Sequence, residues 1–222
     1  MSGLSIEILL RAYRCGIFPM AETRASDELY WIEPKIRGLI PLDTFHLPKG
    51  VARLMRKGAF RLSVNQAFGR VIRACGSAEA GRKETWINDE IIDLYTRMHV
   101  EGYAHSIEVW NGGEAREAGA LAGGLYGVAI GSAFFGESMF SFRPDASKVA
   151  LAATAARLKA GGFTLFDVQF VTAHLQRFGA VKVAKEKYLL LLQKALAGNA
   201  DFLKLPADAQ PQRMLQEIAQ TS

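Results

Sequence analysis

Residues 163–170 read FTLFDVQF, and this stretch decides how the chain is built. Gly161-Gly162 stops whatever precedes it, and Thr172 opens a capped segment after it, so the residues between are bounded as a strand. Side chains alternate across a strand. Thr164, Phe166, Val168 and Phe170 therefore share one face, and Leu165, Asp167 and Gln169 share the other. Asp167 and Gln169 then point the same way, roughly 6–7 Å apart along the strand. On a surface antiparallel sheet that would be an ordinary solvent face. Here helices flank the strand in sequence on both sides, which places it centrally in a mixed sheet. A carboxylate and an amide there need partners or a ligand. The pair is either a functional site or a buried structural network.

The chain around this strand has 222 residues, half of them hydrophobic, enough for one large domain or for one with a small companion. It has no run of about 18 apolar residues that would span a membrane. The start, MSGLSIEILLRAYRCG, carries Glu7 and Arg11 and lacks the basic opening and cleavage site of a signal peptide. Cys15 and Cys75 show neither metal spacing nor the density of a disulfide scaffold. His99 and His105 fall on different elements. The expectation is a soluble, cytoplasmic enzyme without a metal site.

Working outward, Ser5–Arg14 reads as a helix with Leu4, Ile8 and Leu9 inward, ended by Gly16. Residues 17–38 read as irregular structure with short strands. Residues 48–58 form a short helix, 60–65 a strand and 66–75 a helix. Asn88 caps a helix that ends at Gly102. HSIEVW (105–110) is a strand followed by a turn at Gly112-Gly113, and 120–131 and 133–141 form an antiparallel pair. An alanine-rich helix covers 145–160. After FTLFDVQF come a short helix from Thr172 to Phe178, a last strand at 180–185 and a last helix, YLLLLQKAL. This is an α/β chain with a mixed sheet. Its element order is similar to the acyltransferase fold of the N-acetyltransferase (GNAT) superfamily, an analogy of fold that does not give the donor. The expected division is a small N-terminal subdomain (1–36), a GNAT-like catalytic domain (37–205) and a polar, mobile tail (206–222).

Charge is distributed unevenly. Residues 44–78 hold Lys49, Arg53, Arg56, Lys57, Arg61, Arg70 and Arg73 with no Asp or Glu, although the whole chain is only +5. On the helix at 48–57, Lys49, Arg53, Arg56 and Lys57 fall on one side and Val51, Leu54 and Met55 on the other. Such a face is either plainly solvated or a contact for phosphates. No GxxxxGK[ST] loop is present, and Ser141-Phe142-Arg143-Pro144-Asp145 stands where an acetyl-CoA pyrophosphate loop would. In FFGESMFS, Glu137 lies among Phe134, Phe135, Met139 and Phe140, and burying it requires a cation or hydrogen-bond donors; a structural ion pair to Arg143 is the alternative to function. Trp86 fits a core position or a pocket wall. The glycines of GGLYG (123–127) admit a close ligand, a second backbone or a bulge.

AYRCGIFPM (12–20), IRGLIPLDTFH (36–46), NQAFGRVIRAC (65–75), ETWI (84–87), GYAHSIEVW (102–110), GGLYGVAIG (123–131), FFGESMFS (134–141), DASKVAL (145–151) and FDVQF (166–170), in this order, resemble the leucyl/phenylalanyl-tRNA–protein transferases over residues 9–190. The resemblance implies transfer of Leu or Phe, with Met a further candidate, from aminoacyl-tRNA to an N-terminal Arg or Lys of a protein. The product carries an N-end rule degradation signal. No cofactor is implied, because the tRNA ester is already an activated acyl group. The resemblance assigns tRNA contacts to Lys49, Arg53, Arg56 and Lys57. It assigns an aminoacyl pocket to Met20, Trp86, Leu125, Ser138, Thr154, Leu158 and Phe166. Catalysis falls to Asp167, Gln169 and Glu137: Asp167 would polarise the Gln169 amide, and Glu137 would hold an amino group. Relatives often carry Trp where this chain has Met20, and many begin with an extra N-terminal segment. The partners implied are aminoacyl-tRNA and acceptor protein, with the enzyme a monomer. A GNAT-type acyltransferase with another donor and a non-catalytic tRNA-binding module are the competing readings. Reversing charge at Arg53 and Lys57 is expected to weaken tRNA binding and flatten its salt dependence; an unchanged slope would exclude that helix as the contact.

Overall fold

A computed structural model describes residues 4–26, 28–77, 85–112 and 119–219. Helix α1 (Ile6–Arg14) begins where Ser5 Oγ accepts the Ile8 N–H, and Gly16 follows it at φ +77. Its buried face is Ile6, Leu9, Leu10 and Tyr13, a helical repeat of three and four, while Ile8 points outward, against the expected assignment. Strands β1 (Phe18–Ala21) and β2 (Leu29–Ile32) form a separate hairpin.

Then follow β3 (Ile36–Leu39), α2 (Lys49–Arg56), β4 (Phe60–Val64), α3 (Phe68–Cys75), α4 (Asp89–Val100), β5 (Ala104–Asn111), β6 (Leu121–Ile130), β7 (Ala133–Ser141), α5 (Ala146–Gly161), β8 (Leu165–Gln169), α6 (Ala173–Gln176), β9 (Val181–Ala184), α7 (Lys185–Leu196) and α8 (Pro211–Ala219). The caps expected at Asn88 and Thr172 form: their side chains accept from the Ile91 and Leu175 N–H groups. Among the described residues, seven strands make one sheet in the order β4-β5-β6-β7-β8-β3-β9. Its pairs are antiparallel except β7–β8, so FTLFDVQF is an interior strand of a mixed sheet, as its setting predicts. The turn expected at Gly112-Gly113 runs into residues outside the described set.

Helices cover both faces. Apolar side chains of α1, α3, α4 and α7 fill one side of the sheet, and those of α2, α5, α6 and α8 fill the other. In the GGLYG run the close neighbours are protein: a Cβ on Gly127 would lie 2.3 Å from the Phe135 carbonyl, and one on Gly123 would lie 2.7 Å from Ala146 Cβ. The register also shifts at Tyr126/Gly127. Packing and a bulge account for these glycines.

The C-terminal segment differs from its expected form. Helix α8 packs on α5 and α2, burying Met214 and Ile218, which lie one turn apart. The buried Arg157 of α5 donates to the carbonyls of Phe202 (3.3 Å) and Leu205 (2.8 Å) and contacts that of Pro206, and Lys159 Nζ reaches the Ile218 carbonyl at 3.0 Å. A polar composition hides this attachment, because the anchoring groups on the segment are main-chain carbonyls.

Candidate functional site

The parallel strands β7 and β8 pair only from Ala133–Leu165 to Phe135–Asp167. Beyond that point they part, and irregularities on both strands turn side chains into the opening. Tyr126 faces Ser138 and Gly127 faces Gly136, which leaves Glu137 as the unpaired residue of a bulge. On the other side Gly38 faces Gln169 and Leu39 faces Asp167, so Val168 is extra. Gln169 has φ +55, and the Phe170 N–H donates to the Val168 carbonyl at 2.6 Å, closing a three-residue turn on Gln169. Such a conformation costs a residue other than glycine on the order of 1–3 kcal/mol and persists only where its surroundings enforce it. Strand alternation ends here. Phe166 and Val168 keep one face and Leu165 and Asp167 the other, but Gln169 does not stay beside Asp167 as the strand period requires.

The opening is a cavity of about 180 Å3. Its walls are Trp86, Leu125, Met139, Leu151, Phe166, Val168 and Leu175, with Gly136 and Ser138; Glu137 and Gln169 supply its charged and amide groups. A dry cavity of roughly 150 Å3 accommodates benzene, so this one has room for a single Phe or Leu side chain. A larger hollow of about 330 Å3 lies against β3, β8 and α7, shares Phe166, and has Asp43 and Lys187 among its lining groups.

Glu137 is the acid of the cavity. Tyr13 Oη donates to Oε1 at 2.7 Å, Tyr95 Oη to Oε2 at 3.4 Å, and Gln169 Nε2 to Oε1 at 3.4 Å. The two phenol oxygens are 2.5 Å apart, so with the Tyr13 proton on Oε1 the single Tyr95 proton is shared between Oε2 and the Tyr13 oxygen. Two hydroxyls and an amide thus satisfy the carboxyl, in place of the ion pair with Arg143 that sequence left open. Burial pushes the Glu137 carboxyl up to about 7, against the hydrogen bond from Tyr13. Burial, and then the Glu137 charge, hold the Tyr13 and Tyr95 hydroxyls well above the ordinary range.

Asp167 lies behind this surface. Its side chain is 0% exposed and that of Arg37 1%. Arg37 Nε donates to both carboxylate oxygens (3.0 and 2.9 Å), Nη2 lies 2.8 Å from Oδ2, and Tyr188 Oη donates to Oδ2 at 2.7 Å. Oδ1 also accepts the backbone N–H of Gln169 at 2.8 Å. The expected polarisation of the Gln169 side chain by Asp167 is therefore corrected: the amide's carboxylate partner is Glu137, and Asp167 touches Gln169 through its main chain.

Of the other expected pocket residues, Trp86, Leu125, Ser138 and Phe166 line the cavity. Met20, half-buried on β1, does not; the Ala21 N–H beside it donates to the Trp86 carbonyl at 3.4 Å, so β1 backs that wall. Thr154 and Leu158 are sealed in the core, Thr154 donating to the Ala150 carbonyl at 2.9 Å, because the cavity meets α5 only at Leu151, about a turn earlier. Arg37, Tyr13, Tyr95 and Tyr188 carry no role in the sequence reading. Arg37 and Tyr13 do fall inside the IRGLIPLDTFH and AYRCGIFPM runs, and a cation in an otherwise apolar strand was the available signal.

Helix α2 exposes Lys49, Arg53 and Arg56, with Lys57 just after it, over buried Val51, Ala52 and Met55. Beyond it, the guanidinium groups of Arg61 and Arg70 each stand 5.1 Å from the centre of the Trp110 ring. Helix α2 packs on α5, the helix that contributes Leu151 to the cavity. Among the described residues no group of three or more His, Cys, Asp or Glu could hold a metal ion, and no helix is long and apolar enough to cross a membrane.

FemX, in its crystal structure, matches with a TM-score of 0.54 at 11% identity, over 82% of this chain and 68% of FemX; that likeness concerns the fold, and agrees with a GNAT-like sheet. Residues 39–193 match the model of the leucyl/phenylalanyl-tRNA protein transferase family, and residues 3–35 match that of its N-terminal domain. The leucyl/phenylalanyl-tRNA–protein transferase of Nitrobacter winogradskyi is 52% identical over 93% of this chain and 89% of its own length. That of Maricaulis maris is 47% identical over the full length of both. The chain belongs to the leucyl/phenylalanyl-tRNA–protein transferase family.

Proposed function

We propose that this chain takes Leu or Phe from an aminoacyl-tRNA and joins it to the N-terminal Arg or Lys of an acceptor protein. It does so as a monomer in the cytoplasm, and the new N-terminus marks the acceptor for degradation. The observation that carries this reading is the cavity between β7 and β8, apolar on its walls and sized for one side chain, with an acid and an amide at hand.

The Leu or Phe side chain enters the apolar part, which rejects charged side chains by desolvation and ill-shaped ones by clash. The ester then lies near Glu137 and Gln169. The acceptor's α-amine, with an ordinary pKa near 8, is partly neutral at pH 7. Its nitrogen attacks the ester carbon, the C–N bond forms, the ribose oxygen leaves, and the proton shed by the nitrogen ends on that oxygen. With Gln169 Nε2 directed to Glu137, Oε1 is left to accept a hydrogen bond from the attacking amine. Glu137, near half-ionised at neutral pH, holds an amino group or relays the proton. Because the acyl group arrives activated, positioning and preorganised electrostatics supply the rate. The basic outer face of α2 guides the tRNA backbone.

Mass analysis of a peptide with N-terminal Arg, incubated with enzyme and Leu- or Phe-tRNA, should show the gain of one Leu or Phe residue. No gain with any charged tRNA would overturn the reading.

Glu137 also predicts a stability effect independent of activity. Its folded-state value of about 7 stands above the ordinary 4.5, so between these pH values the native state binds the extra proton. This contribution is fully present below about pH 4.5 and is lost as pH rises through 7, an effect of at most about 3 kcal/mol. Glu137→Gln should remove that fall, so denaturant unfolding should show the variant gaining on the parent from pH 5 to pH 8. Parallel pH profiles would contradict the assignment.

A further inference from the structure

Gln169 faces the cavity from a backbone conformation that its residue type rarely adopts, and a buried assembly on the far side of β8 holds it there. Asp167 Oδ1 takes the Gln169 N–H at 2.8 Å. The carboxylate is itself immobilised by three contacts from Arg37 and one from Tyr188. Arg37 in turn is fixed from three sides. Its Nη1 donates to the Gly16 carbonyl at 3.0 Å, and its Cζ lies 4.6 Å from the centre of the Phe18 ring and 4.7 Å from that of Tyr188. The neighbouring strand closes on the turn as well: a Cβ on Gly38 would stand 2.8 Å from the Phe170 carbonyl carbon and 3.0 Å from the Val171 nitrogen. Arg37, Asp167 and Tyr188 do not line the cavity.

We propose that Arg37 is a positioning residue of the transfer reaction: through Asp167 it sets the left-handed turn at Gln169 and so aims that amide at Glu137 and the reacting ester. The proposal rests on the reading of Gln169 and Glu137 as the polar groups of the aminoacyl site. Arginine is required because its Nε reaches both carboxylate oxygens, with Nη2 beside Oδ2, while its Cζ lies over two rings. Lysine offers one point charge and no plane. The side chain acts on geometry and contacts neither substrate.

A double-mutant cycle tests this. Arg37→Lys should lower kcat about 30- to 100-fold, the scale of a misplacement near 1 Å, while KM and Kd for aminoacyl-tRNA stay within about twofold. Tyr188→Phe, which removes a single hydrogen bond to Asp167, should lower kcat about three- to tenfold. In a Gln169→Ala background neither substitution should lower kcat further, because the group they aim is gone. Losses that multiply with that of Gln169→Ala would overturn the proposal, as would an unchanged kcat in both single variants. Should Arg37→Lys fail to fold, Tyr188→Phe in the two backgrounds decides alone. If Gln169→Ala itself keeps full kcat, the aminoacyl-site reading falls and takes the proposal with it. That outcome is distinct from an impaired Gln169→Ala whose losses multiply with the others.

Discussion

The buried ion pair between Arg37 and Asp167 joins segments from both ends of this chain. Taking both charges out of water costs several kcal/mol per ion, and attraction alone repays that only when the remaining donors and acceptors are satisfied. Here Tyr188 and the Gln169 N–H complete the carboxylate, the Gly16 carbonyl takes Arg37 Nη1, Nη2 is held by its 2.8 Å approach to Oδ2 without a hydrogen bond, and two rings cover the guanidinium. The contacts come from the turn after α1, from β1, β3 and β8, and from α7. Segments distant in sequence thus converge under one turn, and the N-terminal region is fastened to the sheet exactly where the sheet departs from regular pairing. Removing one partner would leave a buried charge alone, at a cost of about 3–5 kcal/mol.

From that fastening follows the division of the site. Where β7 and β8 stop pairing, apolar side chains from both strands, from α5 and from α6 enclose space for one side chain, and the bulge residue Glu137 and the turn residue Gln169 bring the polar groups. Glu137 tolerates its surroundings because Tyr13 and Tyr95 donate to it, and it does so with a raised proton affinity. On the proposed function, recognition and chemistry would use different walls of the same opening, and α5 connects that opening to the basic surface of α2.

Much of this was legible in the sequence where local rules apply. The antiparallel pair read at 120–131 and 133–141 is β6 and β7, side-chain capping located the starts of α4 and α6, and charge segregation gave α2 its outer face. FTLFDVQF was read as an interior strand of a mixed sheet, and it is one. The position of Gln169 was not legible, because strand periodicity assumes extended backbone and the chain leaves it at that residue. The partners of Glu137 and Asp167 lie 21 to 130 residues away in sequence, apart from the turn itself, so no local spacing announces them. Thr154 and Leu158 share a helix with Leu151, yet the cavity's depth along that helix is a tertiary property. Helix α8 escaped notice because its apolar stripe is short and the group on it that Lys159 holds is a main-chain carbonyl.

The most direct test is a crystal structure of the enzyme bound to phenylalanyl-adenosine joined by an amide in place of the ester. The account predicts the phenyl ring between Trp86, Leu125, Leu151 and Leu175, with the acyl carbon within about 3–4 Å of a polar atom of Gln169 or Glu137. A ring seated instead in the larger hollow beside Asp43 and Lys187, away from both groups, would contradict it.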